Sequence, residues 1–282
     1  MFIRNRDPRG LAVDEVNGKV YYADGFNISR ANLDGSDAET LIVVGATPGD
    51  VEVDPAGGKI YFSTVFTNPN SKIFSANLDG SDVTEVQSNA LLAVTNPLEP
   101  TITTNDIFNI SIDAAGGTLY WTADDGGVAG RISLNSSPLG GGAATQHWVG
   151  TSRLDSISKM DIDFDSSTLY YTVGSATNEV RSASLDNSGV TTLVSGVGRP
   201  GALALDLDND NLYFAVGGTV YQSGLDGTAL ISSSISGSTL FSIADMEVGP
   251  IVIPLPGGLG LLASALAAGA CARRRARRSA FG

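Results

Sequence analysis

Residues 8–24 have the sequence PRGLAVDEVNGKVYYAD, and residues 48–64 have the sequence PGDVEVDPAGGKIYFST. Both stretches contain an apolar-x-apolar step ending in Asp, then a turn, then a Tyr separated from that Asp by six residues. Repeats about 40 residues apart, none able to bury its faces alone, predict a propeller or a solenoid. The Asp/Tyr pair recurs five times, as Asp14/Tyr21, Asp54/Tyr61, Asp113/Tyr120, Asp163/Tyr170 and Asp206/Tyr213.

Turn residues inside each repeat predict antiparallel hairpins. Asn17-Gly18 follows Asp14, and such a pair accepts the positive φ angles of a tight turn at little cost. A third strand should end at a second turn, and a plainer fourth strand should complete the unit. Four antiparallel strands per repeat are typical of the blade of a β-propeller. The second turns are predicted at Asp34-Gly35, Asp79-Gly80, Asn135-Ser136, Asp186-Asn187 and Asp226-Gly227.

The sequence therefore predicts an all-β fold with five four-stranded blades, a partial sixth blade and a C-terminal hydrophobic helix. Residues 243–249 echo Gly49–Asp54 but lack the following Tyr, which predicts only the inner strand of a blade near 240–249. Either a thin sixth blade closes the ring or the true start of the protein lies upstream. The blades are expected near 8–45, 48–87, 107–150, 157–195 and 200–232, within a propeller domain 1–250.

Composition and charge exclude several classes of function. The chain has 282 residues, 42% of them hydrophobic, with 34 glycines and a net charge of −13. Five of the 17 basic residues lie at 273–278, so residues 1–250 hold 12 basic and 30 acidic side chains, a net charge of −18. Such a surface repels nucleic acid and anionic lipid headgroups. Because Cys271 is the one cysteine, the body has no disulfide, zinc-thiolate site or cysteine nucleophile.

Residues 251–282 form a C-terminal segment of different composition. Gly257–Ala272 is apolar and uncharged, and as a helix it would measure about 24 Å, short of a hydrocarbon core of about 30 Å. Arginines after such a span favour a cytoplasmic C-terminus, with the propeller outside the membrane. The alternatives are a removable sorting signal, a permanent anchor and a basic arm for nucleic acid. The arginines are Arg273, Arg274, Arg275, Arg277 and Arg278.

The repeats resemble the YWTD repeats of low-density-lipoprotein-receptor (class B) propellers, notably over Gly18–Asp24 and Ile28–Ser36. This resemblance covers residues 8–249 and implies a six-bladed propeller in a family whose members act mostly as protein-binding modules. Only the first repeat, which ends at Asp24, keeps the final Asp of the name-giving motif.

The tail resembles bacterial PEP-CTERM sorting signals of the Val-Pro-Leu-Pro variant, here Ile253, Pro254, Leu255 and Pro256. That resemblance implies processing by an exosortase. Met1–Asp7 shows no apolar signal-peptide region, although a sorting tail requires export. We therefore expect the start codon to lie upstream.

Candidate chemical groups are few. His147 is the one histidine and has no evident partner for general-base work, so no catalytic residue is predicted. Two acidic ladders resemble the beginning of a calcium loop but lack the glycine and distal Glu of an EF-hand. The candidate calcium ligands are accordingly Asp161, Asp163 and Asp165 and Asp206, Asp208 and Asp210, and no other cofactor is expected.

Loop lengths give the best functional indication in the sequence. In a four-stranded antiparallel blade the 2–3 and 4–1 connections share one face, and most of the length variation falls there, at 65–71, 88–106, 124–130 and 150–158. Long loops on a rigid scaffold commonly carry binding residues. We expect a non-enzymatic binding or adhesion module with a protein or polysaccharide ligand on this face. The alternatives are a metal-dependent lactonase-like hydrolase of the gluconolactonase type and a purely structural envelope protein.

Overall fold

The computed structural model describes residues 9–65, 71–88, 106–124, 132–149, 157–174, 177–234 and 245–248. These residues form twenty β-strands. In this part of the chain no helix is long and apolar enough to cross a membrane. The predicted tail 251–282, with its sorting motif and arginines, lies outside the described residues, as does Met1–Asp7.

The strands group into five antiparallel sheets of four, each built from consecutive strands in chain order. The strands are β1 (Leu11–Asp14), β2 (Lys19–Asp24), β3 (Asn27–Asn32), β4 (Glu39–Val43), β5 (Thr47–Asp54), β6 (Lys59–Val65), β7 (Lys72–Asn77), β8 (Thr84–Ser88), β9 (Ile107–Asp113), β10 (Thr118–Asp124), β11 (Ile132–Pro138), β12 (Thr145–Val149), β13 (Ile157–Asp163), β14 (Thr168–Val173), β15 (Glu179–Ser184), β16 (Thr191–Val194), β17 (Ala202–Asp206), β18 (Asn211–Val216), β19 (Thr219–Gly224) and β20 (Ile231–Ser234).

The first strand of every sheet contacts the first strand of the next, from β1 through β5, β9 and β13 to β17. The sheets are therefore arranged radially around an axis that these inner strands line. This is the architecture of a β-propeller, and the prediction of five four-stranded blades is confirmed.

The five tyrosines of the repeat each pack against the following unit of the chain. Tyr21 lies in one cluster with Val51 and Phe62 of the second blade, and Tyr61 lies with Ile110 and Trp121 of the third. Tyr120 and Tyr170 make the equivalent contacts with the fourth and fifth blades. Tyr213 packs on Met246 and Val248. Burial of an aromatic side chain at each seam explains why the Tyr recurs, since no blade could cover it alone.

The repeated aspartates hold the turn between the first two strands. Asp14 accepts hydrogen bonds from the backbone N–H and side-chain amide of Asn17, at 2.9 and 2.7 Å. Asp54 and Asp113 each accept a hydrogen bond from the backbone N–H three residues later, at Gly57 and Gly116. Such local bonds satisfy backbone groups that the sheet leaves unpaired. In the later blades, Asp163 accepts from Ser166, and Asp206 accepts from the amide of Asn209.

One predicted turn is wrong. Asn135 and Ser136 lie inside β11 and not at its end, because the strand continues to Pro138. The Leu139 N–H donates to Gly117 O at 2.9 Å, as the Leu33 N–H does to Gly18 O at 3.2 Å. Leu139 is therefore the counterpart of Leu33, and the third blade has a longer third strand. The polar character of Asn135 misled the prediction; its side chain is buried and donates to Ser133 Oγ at 2.9 Å.

Candidate functional site in the central channel

The inner strands leave one edge of every blade facing the axis. Backbone N–H groups on such an edge have no partner within their own sheet, so side chains or other strands must satisfy them. In each unit, the residues four and two positions before the repeated Asp of the turn face the axis. We call these two places in each unit its channel positions.

Charged residues occupy the channel positions in every second unit around the ring. They are Asp50 and Glu52 in β5, Lys159 and Asp161 in β13, and Asp245 and Glu247 in the segment 245–248. The units between them carry only small or neutral residues there: Gly10 and Ala12 before and in β1, Asn109 and Ser111 in β9, and Ala202 and Ala204 in β17.

Three of the aspartates each bind the backbone of the next unit. Asp50 Oδ2 accepts a hydrogen bond from Ile110 N at 3.0 Å, and Asp161 Oδ2 accepts one from Leu205 N at 3.1 Å. Asp245 Oδ2 accepts from Leu11 N at 2.8 Å, which joins the last described segment to the first strand. These bonds satisfy edge N–H groups at alternate seams.

The seam between β1 and β5 has no such carboxylate and closes by direct approach of the two backbones. A Cβ atom at Gly10 would lie 2.6 Å from Asp50 Cα, so only glycine fits without a shift. Glycine at position 10 thus lets the first two inner strands approach closely at this seam.

Lys159 connects the charged units across the axis. Its Nζ lies 3.0 Å from Asp50 Oδ1 and 2.9 Å from Asp245 Oδ1. Each of these aspartates therefore uses one oxygen for the lysine and the other for a backbone N–H of the following unit. All three side chains are nearly inaccessible to solvent, with 9% of each exposed.

A cavity of about 120 Å³ lies among these groups, and the described residues that line it contribute five carboxyl groups and one ammonium. Glu52 and Glu247 are on its wall, and neither has a hydrogen-bond partner within the described ranges. Asp161 accepts from Ile162 N at 2.8 Å as well as from Leu205 N. The negative charge of this cavity thus exceeds the positive charge that faces it.

Burial shifts the protonation of these acids toward the neutral form. It raises the pKa of Asp161 to about 6 and that of Asp245 to about 7, the latter against the opposing charge of Lys159. Burial and the charge of Glu247 raise the pKa of Glu52 well above its usual range, and burial with Asp161 and Asp245 does the same for Glu247. Burial alone would lower the pKa of Lys159, but the charges of Asp245 and Asp50 outweigh it and raise that pKa.

The acidic ladders of the sequence do not stay together in space. Asp161 lies in the channel, whereas Asp163 binds the turn that follows β13, accepting from Asp165 N and Ser166 Oγ. Asp206 likewise binds its own turn. Within the described ranges, no group of three or more His, Cys, Asp or Glu side chains is arranged to hold a metal ion. Calcium binding at Asp208, Asp210 or the other ladder residues stays a prediction.

His147 lies away from the channel, on the fourth strand of the third blade. Its Nε2 is 2.8 Å from Ser136 Oγ, and its ring stacks on Tyr120 with centroids 5.7 Å apart. Burial lowers the pKa of His147 below its ordinary value. These contacts give the ring a packing role at the surface of its blade.

Sequence reasoning missed the channel group, although a signal for it was present. The echo of Gly49–Asp54 in residues 243–249 pairs Asp50 with Asp245 and Glu52 with Glu247. Aligning all the units on the turn Asp would have shown charge in every second unit. The ion pair of Lys159 with Asp50 could not be recognised from the sequence, because the two residues are 109 positions apart in the chain.

Comparisons with known proteins agree with the fold. No family model matches the chain. The chain is 27% identical over 180 residues to a low-density lipoprotein receptor-related protein 1 of Pyricularia oryzae, and the match covers 58% of this chain and 56% of that protein. The chain thus spans little more than half the length of this relative.

Several solved structures share the architecture at low sequence identity. Nidogen, in a complex with laminin, is 20% identical, with a TM-score of 0.63 over 81% of this chain and 80% of that one. A luciferin-regenerating enzyme is 16% identical, with a TM-score of 0.62 over 86% of this chain and 80% of that one. A calcium-binding regucalcin from Agrobacterium tumefaciens is 12% identical, with a TM-score of 0.62 over 86% and 77%. The chain is therefore a β-propeller similar both to binding proteins and to enzymes.

Proposed function

We propose that this chain is an exported bacterial β-propeller that acts as a non-enzymatic binding module for a protein or an envelope polysaccharide. The proposal rests on how the long connections between strands are distributed over the two faces of the propeller. The strand order within the blades puts the β6–β7, β8–β9, β10–β11 and β12–β13 connections on one face, which we call the variable-loop face. Their interiors, such as 89–105, lie outside the described residues.

The opposite face is more uniform. There the turns between first and second strands are short and are held by the repeated Asp side chains, as at Asp14 and Asp54. A constant face and a variable face on one rigid ring favour ligand binding at the variable one. The similarity to nidogen, crystallised with laminin, and to a lipoprotein receptor-related protein supports a protein ligand.

The channel chemistry supports binding over metal-dependent hydrolysis. The ammonium group of Lys159 lies 3.0 Å from Asp50 Oδ1 and 2.9 Å from Asp245 Oδ1. It already pairs with the two carboxylates that a metal ion there would need as ligands. The residues present therefore do not fit a metal bound at Asp50 and Asp245. The similarity to a luciferin-regenerating enzyme and to a regucalcin keeps lactonase-like hydrolysis as the second candidate.

Replacing residues 89–105 by a Gly/Ser connection of equal length should abolish binding to the cognate ligand. The ligand would first be found by screening the full chain against purified envelope polysaccharides and surface proteins. The control is Glu15→Ala, at an exposed turn of the opposite face. Full binding by the loop variant with loss in the control would contradict the proposal. Lactone hydrolysis that purified chain performs and a chelator abolishes would establish the second candidate instead.

The tail proposal has a separate test. The apolar stretch and arginines after Pro254–Pro256 support sorting through an exosortase-type enzyme, with transient membrane insertion at 257–272. We expect the mature protein from its host to end near this motif, without the Arg cluster. The intact mass of the protein from the envelope or medium checks this, and a mature chain that retains Arg273–Arg278 would contradict it.

A further inference from the structure

The ring closes where the segment 245–248 meets the first blade. Leu11 N donates to Asp245 Oδ2 at 2.8 Å, and Met246 and Val248 pack beside Tyr213 of the fifth blade. Among the described residues, this segment joins the last blade to the first. Its attachment therefore affects the whole ring, because every other seam joins units that are neighbours in the chain.

Among the described residues, the charges around this closure are unbalanced. Lys159 is shared by Asp50 and Asp245, and Asp161 is satisfied by two backbone donors. Glu52 and Glu247 line the same cavity without a hydrogen-bond partner in the described part of the chain. The strands packed between the charged units carry their aspartates, Asp14, Asp113 and Asp206, at their ends, where β1, β9 and β17 meet the turns. Their channel positions add no titratable group and hold Gly10 and Ala12, Asn109 and Ser111, and Ala202 and Ala204.

Ionising both glutamates would put uncompensated negative charge against Asp245 and Asp161. Glu52 and Glu247 are half-buried. Like charges at short range in such a partly desolvated cavity repel. Asp245 and Glu247 are separated by one residue in a segment that pairs with none of the described strands. That segment is the part of the cavity wall most easily displaced.

We propose that the channel is a proton-dependent lock on ring closure, in which Glu52 and Glu247 take up protons and so hold the segment 245–248 against β1. With both glutamates neutral, Lys159 balances one of the remaining carboxylates and the bond from Leu11 N to Asp245 is kept. With both ionised, repulsion loosens the segment and opens the seam between it and the first blade.

The direction of the pH effect follows from the protonation shifts. The pKa values of Glu52 and Glu247 are raised in the folded ring, and those of Asp161 and Asp245 are raised to about 6 and about 7. An acid whose pKa rises on folding stabilises the folded state fully at pH values below its unfolded pKa, near 4. This stabilisation is lost as the pH rises through the pKa of the folded state. The ring should therefore become more stable as the pH falls from about 8 to about 5.5.

Thermal melting of the full chain at pH 5.5 and pH 8 tests the lock. We expect the wild-type Tm to be higher at pH 5.5 by roughly 5 °C, of the order produced by a small change in free energy in a domain of this size. The double variant Glu52→Gln, Glu247→Gln should melt higher than wild type at pH 8 and lose most of the pH difference. Glu15→Gln removes the same type of charge at an exposed turn and should behave as wild type.

Amide hydrogen exchange at Leu11 separates the lock from a general effect of charge. After correction for intrinsic rates, exchange at Leu11 should slow at pH 5.5 in wild type and be slow at both pH values in the double variant. Exchange within β7, which contributes no residue to the cavity wall, should follow global stability only. A wild-type Tm that falls from pH 8 to pH 5.5, or a double variant that melts lower than wild type at pH 8, would overturn the proposal.

Discussion

Lys159 has a different role from the other lysines of the propeller, because it is buried and holds two acids from distant parts of the chain. Lys72 offers a direct contrast: its ion pair with Glu85 spans 2.6 Å, but both side chains are about half exposed, at 43% and 41%. Solvent weakens an exposed pair and stabilises its ions when separated. A buried pair lacks that support, so loss of one partner leaves an unpaired charge in the interior.

Lys159→Met should therefore destabilise the propeller by about 3–5 kcal/mol at pH 8, because Asp50 and Asp245 would lose their shared counter-charge. Lys72→Met should change stability by less than about 1 kcal/mol. Denaturant melts at pH 8 measure both values. The loss at Lys159 should shrink at pH 5.5, where the acids can take up protons. Equal, small effects at the two lysines would show that the channel pair is not isolated from water.

The inner strands depend on how closely neighbouring backbones approach at the seams. Gly10 precedes β1 and is buried against Asp50 of β5, where the ideal position of a Cβ overlaps backbone atoms at 2.6 Å. Rigid backbone cannot yield as a flexible side chain would, so overpacking there costs about 1–3 kcal/mol.

Gly10→Ala should accordingly destabilise the ring by about 1–3 kcal/mol in denaturant melts. Gly140 is the matched control, because a Cβ there meets nothing within 4 Å. Gly140→Ala should stay within about 0.5 kcal/mol of wild type. If Gly10→Ala leaves the stability unchanged, the first two blades can move apart at the axis without a loss of stability.

At the scale of elements, the sequence predicted strands and turns well for a physical reason. Turn residues act locally: Gly18 adopts a φ of 65° in the predicted Asn17-Gly18 turn, and β2 begins directly after it at Lys19. Where local chemistry conflicted with packing, the prediction failed, as at Asn135, whose buried side chain finds partners inside β11. Contacts across the axis, such as Lys159 with Asp50, follow from ring geometry and have no counterpart in local pattern.

In the whole molecule, units with charged channel positions alternate with units whose channel positions are uncharged all the way around the ring. Each charged unit extends its carboxylate to the backbone of an uncharged successor, as Asp50 does to Ile110 and Asp161 does to Leu205. Each uncharged unit supplies the backbone N–H for this contact. Neither type of unit is complete at the axis without the other.

The smallest portion of this propeller that carries the full axial pattern is therefore a pair of blades. Adding or deleting one blade would place two charged units, or two uncharged units, side by side at the axis. Exchanging or duplicating blades two at a time would preserve every carboxylate-to-backbone contact. The natural modules for lengthening, recombining or circularly permuting this propeller are thus blade pairs such as β5–β12.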